Sequence, residues 1–302
     1  MRVLNENMAN LATVADIQLR ILLTPTSPRT VVHERIPVTN EPSTAVTSPA
    51  LPGEAKLSAR FLGVGNAGNR ALGSAALVIE RDGEPLLLID CGPDTLDEYL
   101  AAYDRLPDAL FITHTHLDHV GGLENLFYRA CFANGGRRSD IRLFVPSAIV
   151  AHLHQRIADY PNNLAEGGVN FWDVLRLVPV LSHFWLHGLR LRPWAVRHHA
   201  PDSAFGLHLP GSFFYSGDTR PLPELLGTVA AQGETLFHDC GLRGNPSHSG
   251  LDDILRDYPP AVRERIVAYH YAADDDAQAI TAAGLRAARR GERLPLPSPR
   301  CA

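Results

Sequence analysis

The stretch Thr113-His114-Thr115-His116-Leu117-Asp118-His119-Val120-Gly121-Gly122 concentrates three imidazoles and a carboxylate directly after the apolar run Ala109-Leu110-Phe111-Ile112. This order reads as a buried strand that ends in a metal-binding loop. Residues i and i+2 of an extended chain point the same way, so His114 and His116 can face one ion, while the loop brings Asp118 and His119 round from the other side. One ion cannot easily take all four ligands from so short a stretch; two adjacent ions can. Imidazole and carboxylate suit zinc, manganese or iron, and the absence of thiolates argues against a closed structural zinc site.

The pattern HxHxDH after an apolar strand resembles the metallo-β-lactamase superfamily of metal-dependent hydrolases. The resemblance implies an α/β fold, an αββα sandwich of two mixed sheets flanked by helices. It also implies further ligands downstream, and two later strand ends offer them. Arg197-His198-His199-Ala200-Pro201-Asp202-Ser203-Ala204-Phe205-Gly206 and Tyr215-Ser216-Gly217-Asp218-Thr219-Arg220-Pro221 look like the phosphodiesterase branch that contains RNase Z and its cyclic-nucleotide-hydrolysing relatives. By that resemblance the third histidine falls on His199, with His198 its rival and the spacing to Gly206 favouring His199. The bridging carboxylate falls on Asp218, and His270, closing the apolar run Arg265–Tyr271, matches the final metal ligand. The expected metal set is then His114, His116 and His199 on one ion, Asp118, His119 and His270 on the other, with Asp218 between them.

In the same branch a His-Glu-Ala-Thr segment followed by His-Ser/Thr supplies a proton-donating histidine. Here the tetrad is His238-Asp239-Cys240-Gly241, which leaves the role of Asp239 open, and Ser247-His248-Ser249 follows. His248 is the first candidate for the leaving-group acid and His238 the second, and Asp118 joins them as a catalytic residue. Asp90, at the end of an earlier strand, is read as orienting the histidine loop by hydrogen bonding, or else as a turn cap. The loop Gly63–Ser74 is glycine-rich, but no helix pattern follows it, so a dinucleotide-binding reading fails its context. We take it as lining the substrate pocket through Asn66 and Ser74, with Arg220 as a phosphate partner.

The elements that must position these groups are mostly short apolar runs. Strands are expected over 58–63, 75–80, 86–90, 109–112, 141–145, 170–180, 189–197, 212–215, 235–240 and 265–271. Asp82-Gly83 marks a hairpin turn. Leu96, Tyr99, Leu100, Tyr103 and Leu106 follow the helical period, as does 123–132. Further helices are predicted from Ser147 to about residue 160, from a Ser249-x-x-Asp252 capping box, and over 277–290. His152 and His154 sit two apart on a helix, hence on different faces, and are read as non-ligands. Residues 1–56 differ: a hairpin within 17–36 and then Pro37, Pro42, Pro49 and Pro52 read as an N-terminal extension with a proline-rich linker, ahead of one hydrolase domain over 57–302.

Of the 302 residues, 45% are apolar and 20% charged, ordinary for a globular enzyme. The net charge of -5 and the lack of any long basic block disfavour long nucleic acid as a partner. Four scattered cysteines read as reduced thiols, and the absence of a long apolar window or a signal-like N-terminus points to a cytoplasmic protein without membrane association. A homodimer is one possible assembly. The expected function is hydrolysis by two divalent ions, zinc first and manganese or iron as alternatives, sharing an acidified water. The expected substrate is a small or cyclic nucleotide-like phosphodiester. The competing readings are tRNA 3'-end cleavage of the RNase Z type, which normally uses a long basic arm not found between His119 and His199, and hydrolysis of a lactone, ester or thioester.

Overall fold

Alternation along the strands divides the interior into two cores. In the hairpin made by β1 (Leu57–Gly63), β2 (Ala76–Arg81) and β3 (Glu84–Ile89), Leu77, Ile79, Leu87 and Ile89 enter one core. Ala76, Val78 and Leu88 enter the other. β4 (Ala109–Phe111) and β5 (Arg142–Pro146) repeat the division, with Phe111 and Phe144 on one side and Leu110, Leu143 and Val145 on the other. Strands that are apolar on both faces belong to a sheet covered on both faces. One face of this sheet meets a second sheet, and the other is covered by the helices Thr95–Tyr103 and Leu123–Ala133 through Leu96, Tyr99, Leu126 and Phe127.

The computed structural model describes residues 56–299, apart from 134, 136–138, 160–168 and 232. The remaining strands are β6 (Arg176–Val180), β7 (Phe184–Leu186), β8 (Leu189–Ala195), β9 (Phe205–Leu209), β10 (Phe213–Tyr215), β11 (Thr235–Asp239), β12 (Ile266–Tyr269), β13 (Arg286–Ala287) and β14 (Arg293–Pro295). They form two seven-stranded sheets, ordered β14-β1-β2-β3-β4-β5-β6 and β7-β8-β9-β10-β11-β12-β13. In each, the first four strands run antiparallel to their neighbours and the last three run parallel to the fourth. The expected αββα sandwich is the architecture found. Ligand sites of such sheets gather beyond the carboxyl ends of parallel strands, and here those ends carry Asp90, the Thr113–His119 loop, Asp218, Asp239 and His270.

Several expected elements differ. Residues 170–180 are not one strand. Asn170 accepts hydrogen bonds from the Trp172 and Asp173 amides, Asp173 accepts from Asn170 N–H, and this reciprocal cap starts the helical turn Phe171–Val174 ahead of β6. The helix after Ser147 is broken into a 3-10 turn, an α turn at Val150–Leu153 and a wide π turn at His154–Ala158, and Ser147 does not cap it. The terminal helix is shorter than expected, Asp274–Ala282, because the left-handed Gly284 ends it and the chain returns to both sheets as β13 and β14. At Gly250 the backbone N–H, not the Ser249 side chain, opens the helix Leu251–Asp257 by donating to Asp253. β7 has no counterpart in the sequence reading.

Cys91, Cys131 and Cys240 are buried and form no disulfide with one another, and burial pushes the Cys91 thiol up to about 12. No described helix is long and apolar enough to cross a membrane. The expected hairpin and proline-rich linker before residue 56, like Cys301, lie outside the described residues.

Candidate metal centre and active site

The histidine loop is not irregular throughout: Leu117–Val120 forms a helical turn whose N-cap is His116. That turn swings Asp118 and His119 back toward the ring of His114. The loop rests on Gly92, where any Cβ would strike the Asp118 carbonyl and the Ser74 side chain. Opposite, Gly217 turns through a left-handed conformation (φ 61°) and sends Asp218 inward.

The side chains converge on one carboxylate oxygen. Asp218 Oδ2 lies 3.3 Å from His119 Nε2, 3.4 Å from His270 Nε2, 3.6 Å from His114 Nε2, 4.0 Å from His198 Nε2 and 3.9 Å from His248 Nδ1. Asp118 Oδ2 is 3.6 Å from both His119 Nε2 and His270 Nε2. Three donor groups share Asp218: His114, His116 and His198 on one side, Asp118, His119 and His270 on the other, and Asp239, His248 and His270 beside the second. His114 Nε2, His119 Nε2, His270 Nε2 and Asp218 Oδ1 are buried with no hydrogen-bond partner. Orphaned polar atoms at this depth cost about 1–3 kcal/mol each, which divalent ions bound among them would offset. The donor set therefore fits divalent ions, with Asp218 within reach of each group.

Two buried carboxylates fix which nitrogen of each ring is free. Asp90 accepts from Thr113 N–H (2.8 Å), from Thr113 Oγ1 (2.7 Å) and from His119 Nδ1 (2.8 Å). With its own proton given to Asp90, Thr113 Oγ1 accepts from His114 Nδ1 at 3.0 Å. One carboxylate thus aims the Nε2 lone pairs of a histidine in each of the first two donor groups. Asp239 plays a related part from the other sheet: its Oδ2 accepts from Thr219 N–H (2.9 Å) and His248 Nδ1 (2.8 Å), and its Oδ1 lies 3.5 Å from His270 Nδ1. Asp90 and His270 both sit at positive φ (62° and 67°), pinned by Asp90 N–H to Phe111 O and His270 N–H to Val64 O.

Electrostatics follow the geometry. Burial, with neighbouring imidazoles adding to it, holds His114 well below the ordinary value and pushes His198 down to about 4, which favours the neutral ring that metal binding would need. Burial opposes charge on His270, but the Asp218 charge and the nearby carboxylates of Asp118 and Asp239 outweigh it and push the ring up to about 10. Asp218 and Asp90 likewise outweigh burial at His119 and hold it well above the usual range. Protons and divalent cations are rivals for these nitrogens.

The structure corrects three expected site residues. His198, not His199, faces the centre: His198 Nδ1 donates to Ser247 O (2.9 Å) and its Nε2 lies 3.2 Å from His116 Nδ1. His199 is exposed, its ring packing edge-on against His116 and tilted against His198. His238 is fully buried away from the centre, bonded through Nδ1 to Asp239 O and through Nε2 to Tyr258 Oη, so it is a structural histidine. Arg220 turns outward, its Nε donating to Arg197 O, and lines a separate cavity of about 560 Å³ with Glu224, Asn245 and Arg256. Asn66 and Ser74 do line the cavity at the centre, about 740 Å³, which reaches His116 and Asp118. Ser74 is held there by Asp94, a contact the sequence reading missed. His248 sits on a loop stitched to Thr219 by Ser249 and turned by the Asn245 side chain, its ring partly exposed.

Two mixed sheets with this centre at their edge define a metal-dependent hydrolase of the metallo-β-lactamase fold. Comparison with known proteins agrees on the fold: the metallo-β-lactamase fold protein YhfI from Bacillus subtilis superposes with a TM-score of 0.61 at 10% identity, covering 80% of this chain and 99% of that one. The family model for anti-Pycsar protein Apyc1 matches residues 57–294. An anti-Pycsar protein Apyc1 from Paenibacillus harenae is 30% identical over 223 residues, 70% of this chain and 88% of its own length. One from Bacillus phage 010DV004 is 30% identical over 249 residues, 74% and 92% respectively. The chain belongs to the anti-Pycsar protein Apyc1 family.

Proposed function

We propose that the protein hydrolyses a small phosphodiester, of the size of a cyclic nucleotide. The observation that carries this reading is the His248–Asp239 pair at 2.8 Å beside Asp218. A phosphodiester with a sugar alkoxide as leaving group needs a proton delivered to that oxygen, whereas a thioester leaves readily without one. Asp239 holds the His248 proton on Nδ1 and raises the ring's proton affinity: burial opposes the charge, but the hydrogen bond and the charge of Asp239 outweigh it and hold His248 above the ordinary value. His248 Nε2 is then the proton donor, and the partly exposed ring is accessible to a substrate entering the centre. His114, His116, His198, Asp118, His119, His270 and Asp218 would hold divalent ions, most simply zinc, which when bound would supply an acidified water as nucleophile and positive charge for the phosphoryl oxygens. Asp90 would hold His119 and, through Thr113, His114 in the ligating tautomer, and Asp239 fixes the tautomer of His248.

The net charge of -5 favours a compact substrate over tRNA, which would need many basic phosphate contacts. The test combines elemental analysis with a substrate panel of cyclic nucleotides, bis-aryl phosphodiester, lactone and thioester. Two ions per chain and turnover of phosphodiesters are expected. His248→Ala should keep both ions and lose about 100- to 10,000-fold in turnover of a cyclic nucleotide. Unchanged turnover in that variant removes the acid role, and activity on lactones or thioesters alone replaces the phosphodiester.

A further inference from the structure

The cavity against His116 and Asp118 has acceptors that are already committed. Asp94 accepts from Ser74, Asp97 pairs with Arg129 at 3.1 Å, and Asp118 faces His119 and His270. Asn69 uses its oxygen on Ala71 N–H and its amide nitrogen on Ala272 O. Two guanidinium groups that line the same cavity are in no ion pair among the described residues: Arg70, on the loop that carries Asn66 and Ser74, and Arg156.

Arg156 is the better placed. It stands in the π turn His154–Ala158, closed by Asp159 N–H to His154 O at 2.8 Å, a departure from α geometry of the kind that recurs at functional sites. Its Nε donates to Thr115 O at 3.2 Å, the carbonyl between His114 and His116. That bond holds the guanidinium beside the metal loop before any ligand arrives and leaves the two Nη groups as donors. Their planar fork matches two oxygens of one phosphate. Among the described residues the His116 imidazole is the one aromatic ring that lines the cavity.

We propose that Arg156, assisted by Arg70, is a positioning residue that grips the anionic oxygens of the substrate's phosphoryl group, with the 740 Å³ cavity receiving the group attached to it. This assigns to Arg156 the phosphate contact that the sequence alone suggested for Arg220, and it rests on the phosphodiester reading. Calorimetric titration of inorganic phosphate into zinc-loaded protein measures the grip without requiring turnover. Arg156→Ala should weaken phosphate binding by about tenfold or more, and Arg156→Lys should recover part of it, since an ammonium keeps the charge but not the fork. Metal content and melting temperature should stay at wild-type values. Arg70→Ala should give a smaller loss, and Arg220→Ala none.

With a bis-aryl phosphodiester, Arg156→Ala should raise KM by a similar factor and leave kcat within about threefold. Phosphate affinity within twofold of wild type in Arg156→Ala, with metal content intact, overturns the assignment. So does a wild-type protein that binds no phosphate. Should the alanine variant fold poorly, Arg156→Gln carries the same comparison. A wild-type protein that binds phosphate through Arg156 yet turns over no phosphodiester sinks the proposed function and leaves this assignment standing.

Discussion

Asp90 and Asp239 stand at equivalent tasks in the two sheets, each a buried carboxylate that accepts from a backbone amide and from a histidine Nδ1. Asp90→Asn removes one acceptor from the set that fixes His119 and, through Thr113, His114. Metal affinity should fall by about 10- to 100-fold while the fold survives, read by competition with a chelator. The choice between the adjacent histidines is equally testable: His198→Ala should lose metal from the His114–His116 side, whereas His199→Ala should keep its full complement. Sequence alone misdirected that choice for a physical reason. The resemblance placed the ligand by its spacing to Gly206, and strand alternation does not overrule that placement, because counting by two from the inward Leu189 and Leu191 of β8 also arrives at His199. The parity changes near the strand end, where Ala195 is exposed and Val196 buried, so His198 is the residue that turns in. His114, His116, Asp118 and His119 were legible because all four ride one short loop.

The strands were legible where apolar runs end in ligand-type residues, as in Ala109–Phe111 and Ile266–Tyr269. The last elements were not: β13 and β14 are two and three residues long, and an alanine-rich run masked the break at Gly284. β14 is nonetheless tied firmly to the first sheet. Arg293 donates from Nε (2.7 Å) and Nη2 (2.9 Å) to Glu80, which also accepts from Ser58 Oγ and Tyr103 Oη. Burial works against the Glu80 charge, but these hydrogen bonds, that of Arg293 foremost, hold its carboxyl below the ordinary range. A depressed folded-state value contributes stability that is present above the unfolded-state pKa and lost as pH falls through the folded one. Glu80→Gln should therefore cost about 2 kcal/mol at pH 7, with the half-exposed Arg293 screened by solvent, and the difference in melting temperature should shrink as the pH is lowered below about 4.5. A gap that stays constant across that range removes the ionic role of Glu80.

At the scale of the molecule, every residue of the metal centre lies downstream of residue 56, so a chain shortened to begin at Ala55 should remain soluble and bind metal to the same stoichiometry. Insoluble or metal-poor material would make the extension part of the domain or of an assembly. A compact substrate also predicts only a weak dependence of turnover on salt, against the steep one that tRNA cleavage would show. The pairing of β14 with β1 carries one more consequence, for the order of folding on the ribosome. Arg293 meets Glu80 across 213 residues of sequence, among the most distant contacts in the chain. All the metal ligands, ending at His270, are synthesised before the strand that completes the first sheet. A nascent chain thus holds its histidines ahead of the edge that will steady them, and the edge of β1 that faces away from β2 is for that interval open to any other strand.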